Sequence, residues 1–316
     1  NCTFCGSRAF QIDAAGGEKI KVVSLGGFEL TDLVEKCFNA NPRLQTIIIQ
    51  DDNFMMGLKN NKIEKLIASM NEKKMKGILP EYLSFICQAR VDNVNLQRLK
   101  AMKEANFRMI SYGIESFSAR MLEEILKETT VERAIQTLDE TLAVGIHPYM
   151  NTILTAPNSN FFDMFETIDK SIHYLERGAE VGSYNTIIPL PGATIERLTR
   201  DTSSVEYAEV TIAFSDQKFR KSERILPNDP RLRELIFRYD EIIDDEKAAF
   251  MDIVNKGHLK TSSSESPSSK AVKATRVNTL IRFATLYHLA SEMRIEPYRE
   301  RAKTEIPRIK AIYDSF

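Results

Sequence analysis

Two thiols stand three residues apart at the start of the chain, in Cys2-Thr3-Phe4-Cys5. Thiolates at this spacing can share one soft metal ion or one iron–sulfur cluster. Redox dithiols and zinc knuckles use the same spacing, so the pair alone leaves its chemistry open. The other candidates are polar stretches that each follow an apolar, β-prone run: Asp51-Asp52-Asn53, Arg90-Val91-Asp92, Gly113-Ile114-Glu115-Ser116, Thr155-Ala156-Pro157-Asn158 and Pro189-Leu190-Pro191-Gly192. A carboxylate or carbonyl suits an amine donor, and an arginine fork suits a carboxylate. Taken singly, each has a plainer reading. Asp51–Asn53 reads as an Asx turn, Arg90 and Asp92 as a local ion pair, and Glu115 as an acid at the start of a helix.

The elements that must position these residues alternate along the chain. Strands are expected at Gln45–Gln50, Leu83–Ala89, Met109–Tyr112, Tyr149–Leu154 and Ser183–Ile188. Helices are expected at Thr31–Ala40, Lys62–Lys73, Leu96–Glu104, Ala119–Glu128, Val131–Val144, Phe161–Glu176 and Thr194–Thr199, with caps at 93–95 and at Thr129-Thr130. This is the pattern of parallel βα units, whose carboxyl strand ends gather on one face. The polar tails would therefore ring a single pocket. Beyond Thr202 the alternation fades into charged helices at Arg231–Asn255 and Val277–Ser291. Lys260–Lys270 (KTSSSESPSSK) reads as a flexible link by composition.

The 316 residues carry 43 Lys and Arg against 44 Asp and Glu, a net charge of −1, so no basic surplus points to nucleic acid. Four cysteines are too few for a disulfide scaffold, and neither a membrane-length apolar run nor a signal peptide is present. A reducing, cytoplasmic setting follows as the expectation. Cys37 and Cys87 read as core thiols. Glu123-Glu124 and Asp244-Asp245-Glu246 read as solvated helix faces, and His147, His173, His258 and His288 are scattered without ligand spacing.

In order and spacing, Cys2-Thr3-Phe4-Cys5, Asp51-Asp52-Asn53-Phe54, Ala89-Arg90-Val91-Asp92, Tyr112-Gly113-Ile114-Glu115-Ser116, the series Leu122, Lys127, Thr130, Ala134, and Ile188-Pro189-Leu190-Pro191-Gly192 resemble the core of a radical S-adenosylmethionine (SAM) enzyme. The likeness is to the subclass that often carries an N-terminal cobalamin-binding domain. It implies an α/β fold, a partial (β/α)6 TIM-like barrel of parallel strands over 1–200, with a mainly helical C-terminal region at 201–316 and a flexible segment at 260–270. Cys2 and Cys5 match the last two positions of the family's C-x3-C-x2-C cluster motif. The first cysteine, four residues before Cys2, and the first barrel strand would lie upstream of Asn1.

The resemblance implies a [4Fe–4S] cluster held by three thiolates, with SAM on the fourth iron, cleaved reductively to a 5′-deoxyadenosyl radical. It assigns Phe4 to the adenine, Asp51, Asp52 and Asn53 to the SAM amino group, Arg90 to the SAM carboxylate, Glu115 with Ser116 to the ribose and the Ile188 backbone to the adenine, and it puts Thr155 and Ala156 where the fifth strand normally has a glycine-containing turn. Thr155-Ala156 lacks the glycine usual at that turn. The implied reaction is methyl transfer, cyclisation or another C–H functionalisation of a small molecule or peptide, with flavodoxin or ferredoxin as reductant and cobalamin as a further cofactor carried by an upstream domain. The competing reading is a non-enzymatic protein with a structural zinc at Cys2 and Cys5, which would need two more ligands.

Overall fold

A computed structural model of the chain describes residues 2–6, 27–51, 53–55, 62–200, 202, 204–211, 218–255 and 267–314. Five parallel strands lie side by side in chain order: β1 (Thr46–Ile49), β2 (Ser84–Ala89), β3 (Phe107–Glu115), β4 (His147–Thr155) and β5 (Glu180–Thr186). A sheet whose neighbours are always consecutive strands winds in one direction, which is the topology of a barrel wall. The helices before and between the strands are α1 (Gly27–Ala40), α2 (Lys62–Met75), α3 (Leu96–Glu104), α4 (Ala119–Glu124), α5 (Val131–Ala143), α6 (Phe161–Glu176) and α7 (Thr194–Thr199). The expected parallel α/β barrel wall is thus present.

Local sequence explains most of these boundaries. Asn95 and Thr130 accept the backbone N–H of Arg98 (2.9 Å) and Arg133 (3.2 Å), capping α3 and α5 where the sequence placed caps. Asn160 and Asp163 form a reciprocal capping box on α6. Helix α5 buries Ala134, Thr137, Leu138 and Thr141, one face at helical spacing, and ends where Gly145 takes φ +76°. On the helix side of the sheet, Phe85, Cys87, Ile110, Tyr112, Ile114, Met150 and Leu154 join the core. Each such side chain contributes about 1.5–3 kcal/mol when fully buried.

Three differences from the sequence reading have clear causes. Helix α4 stops at Glu124 instead of Glu128, because Leu126 adopts φ +52° and the N–H groups of Leu126 and Lys127 turn back to the carbonyls of Glu123 and Leu122. That is a Schellman-type ending with leucine where glycine is usual. Strand β3 runs on through Glu115, with a register shift between Gly113 and Glu115 opposite Asn151 and Thr152. Cys37 is exposed, one position off the buried Thr31 and Val34 face of α1, while Cys87 is fully buried as expected.

The C-terminal region carries an antiparallel pair that alternation alone did not reveal, β6 (Val205–Thr211) with β7 (Lys218–Ile225). It is anchored where the Ile225 N–H donates to the Ile187 carbonyl (2.8 Å) just past β5. Three helices follow, α8 (Pro230–Asn255), α9 (Pro267–Glu292) and α10 (Tyr298–Asp314). Pro267–Lys270, expected as flexible, opens α9; residues 260–266 lie outside the described residues, as does His258. Helix α9 lies against β5, where Thr279 Oγ1 donates to the Val181 carbonyl (3.2 Å) and Arg276 to that of Gly178 (2.6 Å). No helix among the described residues is long and apolar enough to cross a membrane.

Candidate functional site

The carboxyl ends of the five strands carry Asp51, Arg90, Glu115, Thr155 and Ile188 to one face, and the cysteine turn docks on it. Thr3 is the fastener: its N–H and hydroxyl both donate to the Ile125 carbonyl (2.9 and 3.2 Å), and its own carbonyl accepts from the Ile195 N–H (2.8 Å). The Cys5 N–H donates to the Cys2 carbonyl (3.3 Å), closing the turn, with Cys2 half-buried and Cys5 exposed. Phe4 is a partly buried wedge beneath it, packed with Leu122, Ile125, Ile153, Ala156, Ile187 and Ile195. One aromatic side chain thus ties the thiols to the tails of β4 and β5. Gly6 follows so closely on Leu190 that a Cβ there would come within 3.0 Å of the leucine Cβ.

At the end of β1, Asp51 Oδ1 accepts the Asn53 N–H (2.8 Å), the Asx turn that the residue types suggested. Asn53 Oδ1 accepts the Arg90 N–H (3.4 Å), which fixes the orientation of the amide. Its Nδ2 is buried and has no partner among the described residues. Such a buried donor favours an acceptor, so Asn53 offers an N–H where the sequence reading had assigned it to an amine. Asp52 lies outside the described residues. The Arg90 fork grips Asp92, through Nε to Oδ1 (3.0 Å) and Nη2 to Oδ2 (3.0 Å), and also donates to the Glu128 carbonyl (3.3 Å). Here the local ion pair is what forms. The Asp92 hydrogen bonds hold the guanidinium charged, and Cys2 beside it adds to the effect.

Glu115 sits at φ +63°, in the left-handed region. An acidic side chain there stores about 1–3 kcal/mol of strain. Its carboxylate receives Lys127 Nζ at 2.7 Å, and both side chains are nearly inaccessible, at 11% and 6% exposure. The pair lies over Gly113, where an added Cβ would stand 2.6 Å from Glu115 Oε1 and 2.9 Å from Lys127 Nζ. Lys127 was not singled out as a site residue; the signal was the leucine-for-glycine helix ending that swings it back toward the strand. Ser116 turns its hydroxyl to Thr167 Oγ1 (2.8 Å) and accepts the Ser118 N–H (2.9 Å), which anchors the strand end to α6. Thr155 is fully buried at the end of β4, and Ile188 is 47% exposed beyond β5.

Glu124 is half-buried, where a solvated face had been expected. Its Oε1 accepts from the N–H and Nδ2 of Asn158 (2.9 and 3.2 Å), and its Oε2 is buried without a partner among the described residues. Burial pushes this carboxyl above its ordinary value. A raised folded-state pKa means that the contribution is greatest at low pH and is lost as pH rises from the unfolded value through the folded one. Thermal melts across that range should therefore show wild-type protein losing stability relative to Glu124→Gln, which cannot ionise. Parallel profiles for the two proteins would refute this.

Among the described residues no three His, Cys, Asp or Glu side chains gather as a metal site. The donor set at the turn is two thiols, soft ligands that fit an iron–sulfur cluster with ligands still to be supplied. A structural zinc would ask for two more protein ligands.

The family model described as Radical SAM superfamily matches residues 1–171, more than half of the chain. The chain is similar over 99% of its length to the solved structure of the cobalamin-dependent S-adenosylmethionine radical enzyme OxsB with aqua-cobalamin bound, with a TM-score of 0.70 and 16% identity. The form with aqua-cobalamin and S-adenosylmethionine bound gives 0.62 and 14% over 98% of the chain. These matches cover 48% and 56% of the OxsB chains, so the present chain spans about half of each. A curated relative, "Uncharacterized methyltransferase PH0819" of Pyrococcus horikoshii, is 26% identical over 114 residues, 36% of this chain and 24% of that protein.

Proposed function

Since the chain belongs to the radical SAM superfamily, we propose that Cys2 and Cys5 contribute to a [4Fe–4S] cluster and that the surrounding strand ends bind SAM for radical modification of a small molecule or peptide. The observation that carries this reading is the docking of the cysteine turn, through Thr3 and Phe4, onto the carboxyl face of the parallel sheet. When bound, the cluster would supply the electron that splits the S–C5′ bond of SAM into methionine and a 5′-deoxyadenosyl radical.

The chain's own residues have definable tasks. Asn53 Nδ2, buried and unpartnered among the described residues, is suited to a carboxylate oxygen of the methionine moiety, and the exposed Asp51 to its amine. Arg90 and Asp92 brace Cys2. Glu115, oriented by Lys127, is placed to accept from ribose hydroxyls. Ser116, Thr155 and Ile188 shape the wall near the adenine and ribose, and Phe4 excludes water beneath the turn.

The fold likeness to a cobalamin-dependent enzyme and the partial match to a methyltransferase support methyl transfer with cobalamin, over cyclisation, within this class. A reducing, cytoplasmic setting and a flavodoxin- or ferredoxin-type reductant suit such a cluster. Anaerobic reconstitution with iron and sulfide tests the reading: the protein should turn brown and, with dithionite and SAM, release 5′-deoxyadenosine. Stoichiometric zinc with no iron uptake and no nucleoside would support the structural-metal reading instead.

A further inference from the structure

The loop that joins α4 to α5 lines, together with α4 and the first turn of α5, a cavity of about 540 Å³. That is the size of a small-molecule site. No strand-end residue and no residue of the cysteine turn lines it, so it is separate from the candidate site. Its apolar wall is made by Ala119, Leu122, Leu126 and Val131. Leu126 holds φ +52°, a conformation that strains a leucine and not a glycine, and its side chain is 55% exposed. The chain's own packing thus returns little for a residue that an apolar ligand would cover.

The polar lining is acidic. Glu123, Glu128 and Glu132 are all exposed there, and the one cation among the described lining residues, Lys127, is spent on Glu115 at 2.7 Å. Two neighbouring cations are engaged elsewhere: Arg90 grips Asp92, and Arg133 donates to the Val94 carbonyl and to Gln136. The start of a helix ordinarily favours an anion. Here the Thr130 hydroxyl already accepts the Arg133 N–H (3.2 Å), and hydrogen bonds from its own backbone N–H and from Thr130 hold the Glu132 carboxyl below its ordinary value, so that end of α5 is neutralised from within. Thr129, which also lines the cavity, has a hydroxyl oxygen buried without a partner among the described residues. Such an atom calls for a donor from outside the chain, and an ammonium supplies three.

We propose that this cavity is a second ligand site, built for a small amphipathic cation: an ammonium or guanidinium on an aliphatic or aromatic body. The body lies on Leu122, Leu126 and Val131, and the charge among the glutamates. An anion would meet three like charges, and a neutral apolar molecule would leave the acidic rim unused. The ligand would rest against a loop that carries three bonds of the candidate site: the Ile125 carbonyl accepts from Thr3, Lys127 reaches Glu115, and the Glu128 carbonyl accepts from Arg90. Binding here depends on no reading of the cysteine turn.

The test uses the full chain without iron or SAM, in ligand-observed NMR titrations with three probes that share a phenyl body: phenethylamine (cation), phenylethyl alcohol (neutral) and phenylacetate (anion). Phenethylamine should bind best, by about 2- to 5-fold over the alcohol, as expected for exposed ion pairs, and high salt should shrink that margin. Glu123 is exposed, so Glu123→Gln keeps the fold; it should narrow the margin and leave the alcohol unaffected. Leu126→Asn preserves the left-handed helix ending, which asparagine tolerates, and should weaken amine and alcohol together by about 3- to 10-fold through the lost apolar wall. No binding of phenethylamine at millimolar concentration, equal or tighter binding of the alcohol or of phenylacetate, or an amine affinity unchanged in Leu126→Asn would overturn the assignment. None of these outcomes bears on whether the reconstituted protein cleaves SAM.

Discussion

Alanine at Cys2 or at Cys5 should leave the anaerobically reconstituted protein without a bound cluster and reduce 5′-deoxyadenosine formation to background. Each thiolate is one of the few soft donors that the cluster would have, and neither has a substitute nearby: among the described residues the other thiols are Cys37, exposed on α1, and Cys87, buried in β2. Burial raises the pKa of Cys87 and keeps it a neutral thiol. Cys37→Ala is accordingly the control and should retain iron and activity. The turn itself should survive the loss of either sulfur, because Thr3 and Phe4 anchor it through backbone bonds and apolar packing. Iron and sulfide analysis with visible spectra reads the result directly. Full cluster content in both variants would remove the cysteine turn from the site.

Lys127→Ala should destabilise the protein by about 3–5 kcal/mol, since it strands the Glu115 carboxylate in a nearly inaccessible place with its cation gone. Urea melts measure the loss. The double replacement Glu115→Gln with Lys127→Met should recover most of it, because the cost lies in the unpaired charge and not in the missing contact. SAM affinity separates structure from function. The stable double variant should bind SAM less tightly by about 1.5–3 kcal/mol in calorimetry of the reconstituted protein, the range for hydrogen bonds to a charged acceptor. Gly113→Ala offers a second route to the same end, since a methyl 2.6 Å from Glu115 Oε1 must displace the pair. Wild-type SAM affinity in both variants would exclude Glu115 from the ribose site and leave it a structural acid.

What the sequence determined by itself was the scaffold and the face that carries the candidate site. Apolar runs of period two, amphipathic helices and polar caps are local signals, and they placed five parallel strands, α3, α6 and α7 at or within a few residues of their observed ends. The spacing of Cys2 and Cys5 and the polar tails after each strand were equally local, and they located the candidate site. Tertiary structure decided which atoms those residues turn toward that site. Arg90 closes on Asp92, Ser116 turns to Thr167, and Asn53 presents its N–H because its carbonyl is already taken by Arg90. Lys127 reaches Glu115 only because Leu126 ends α4 in a left-handed turn, and Glu124 is half-buried only because the loop after β4 folds over it. The β6–β7 pair likewise depends on its bridge to Ile187, a contact 38 residues distant in the chain for Ile225. Hydrogen-bond partners and burial depend on groups far apart in sequence that only packing brings within reach, and no local pattern of residues encodes them.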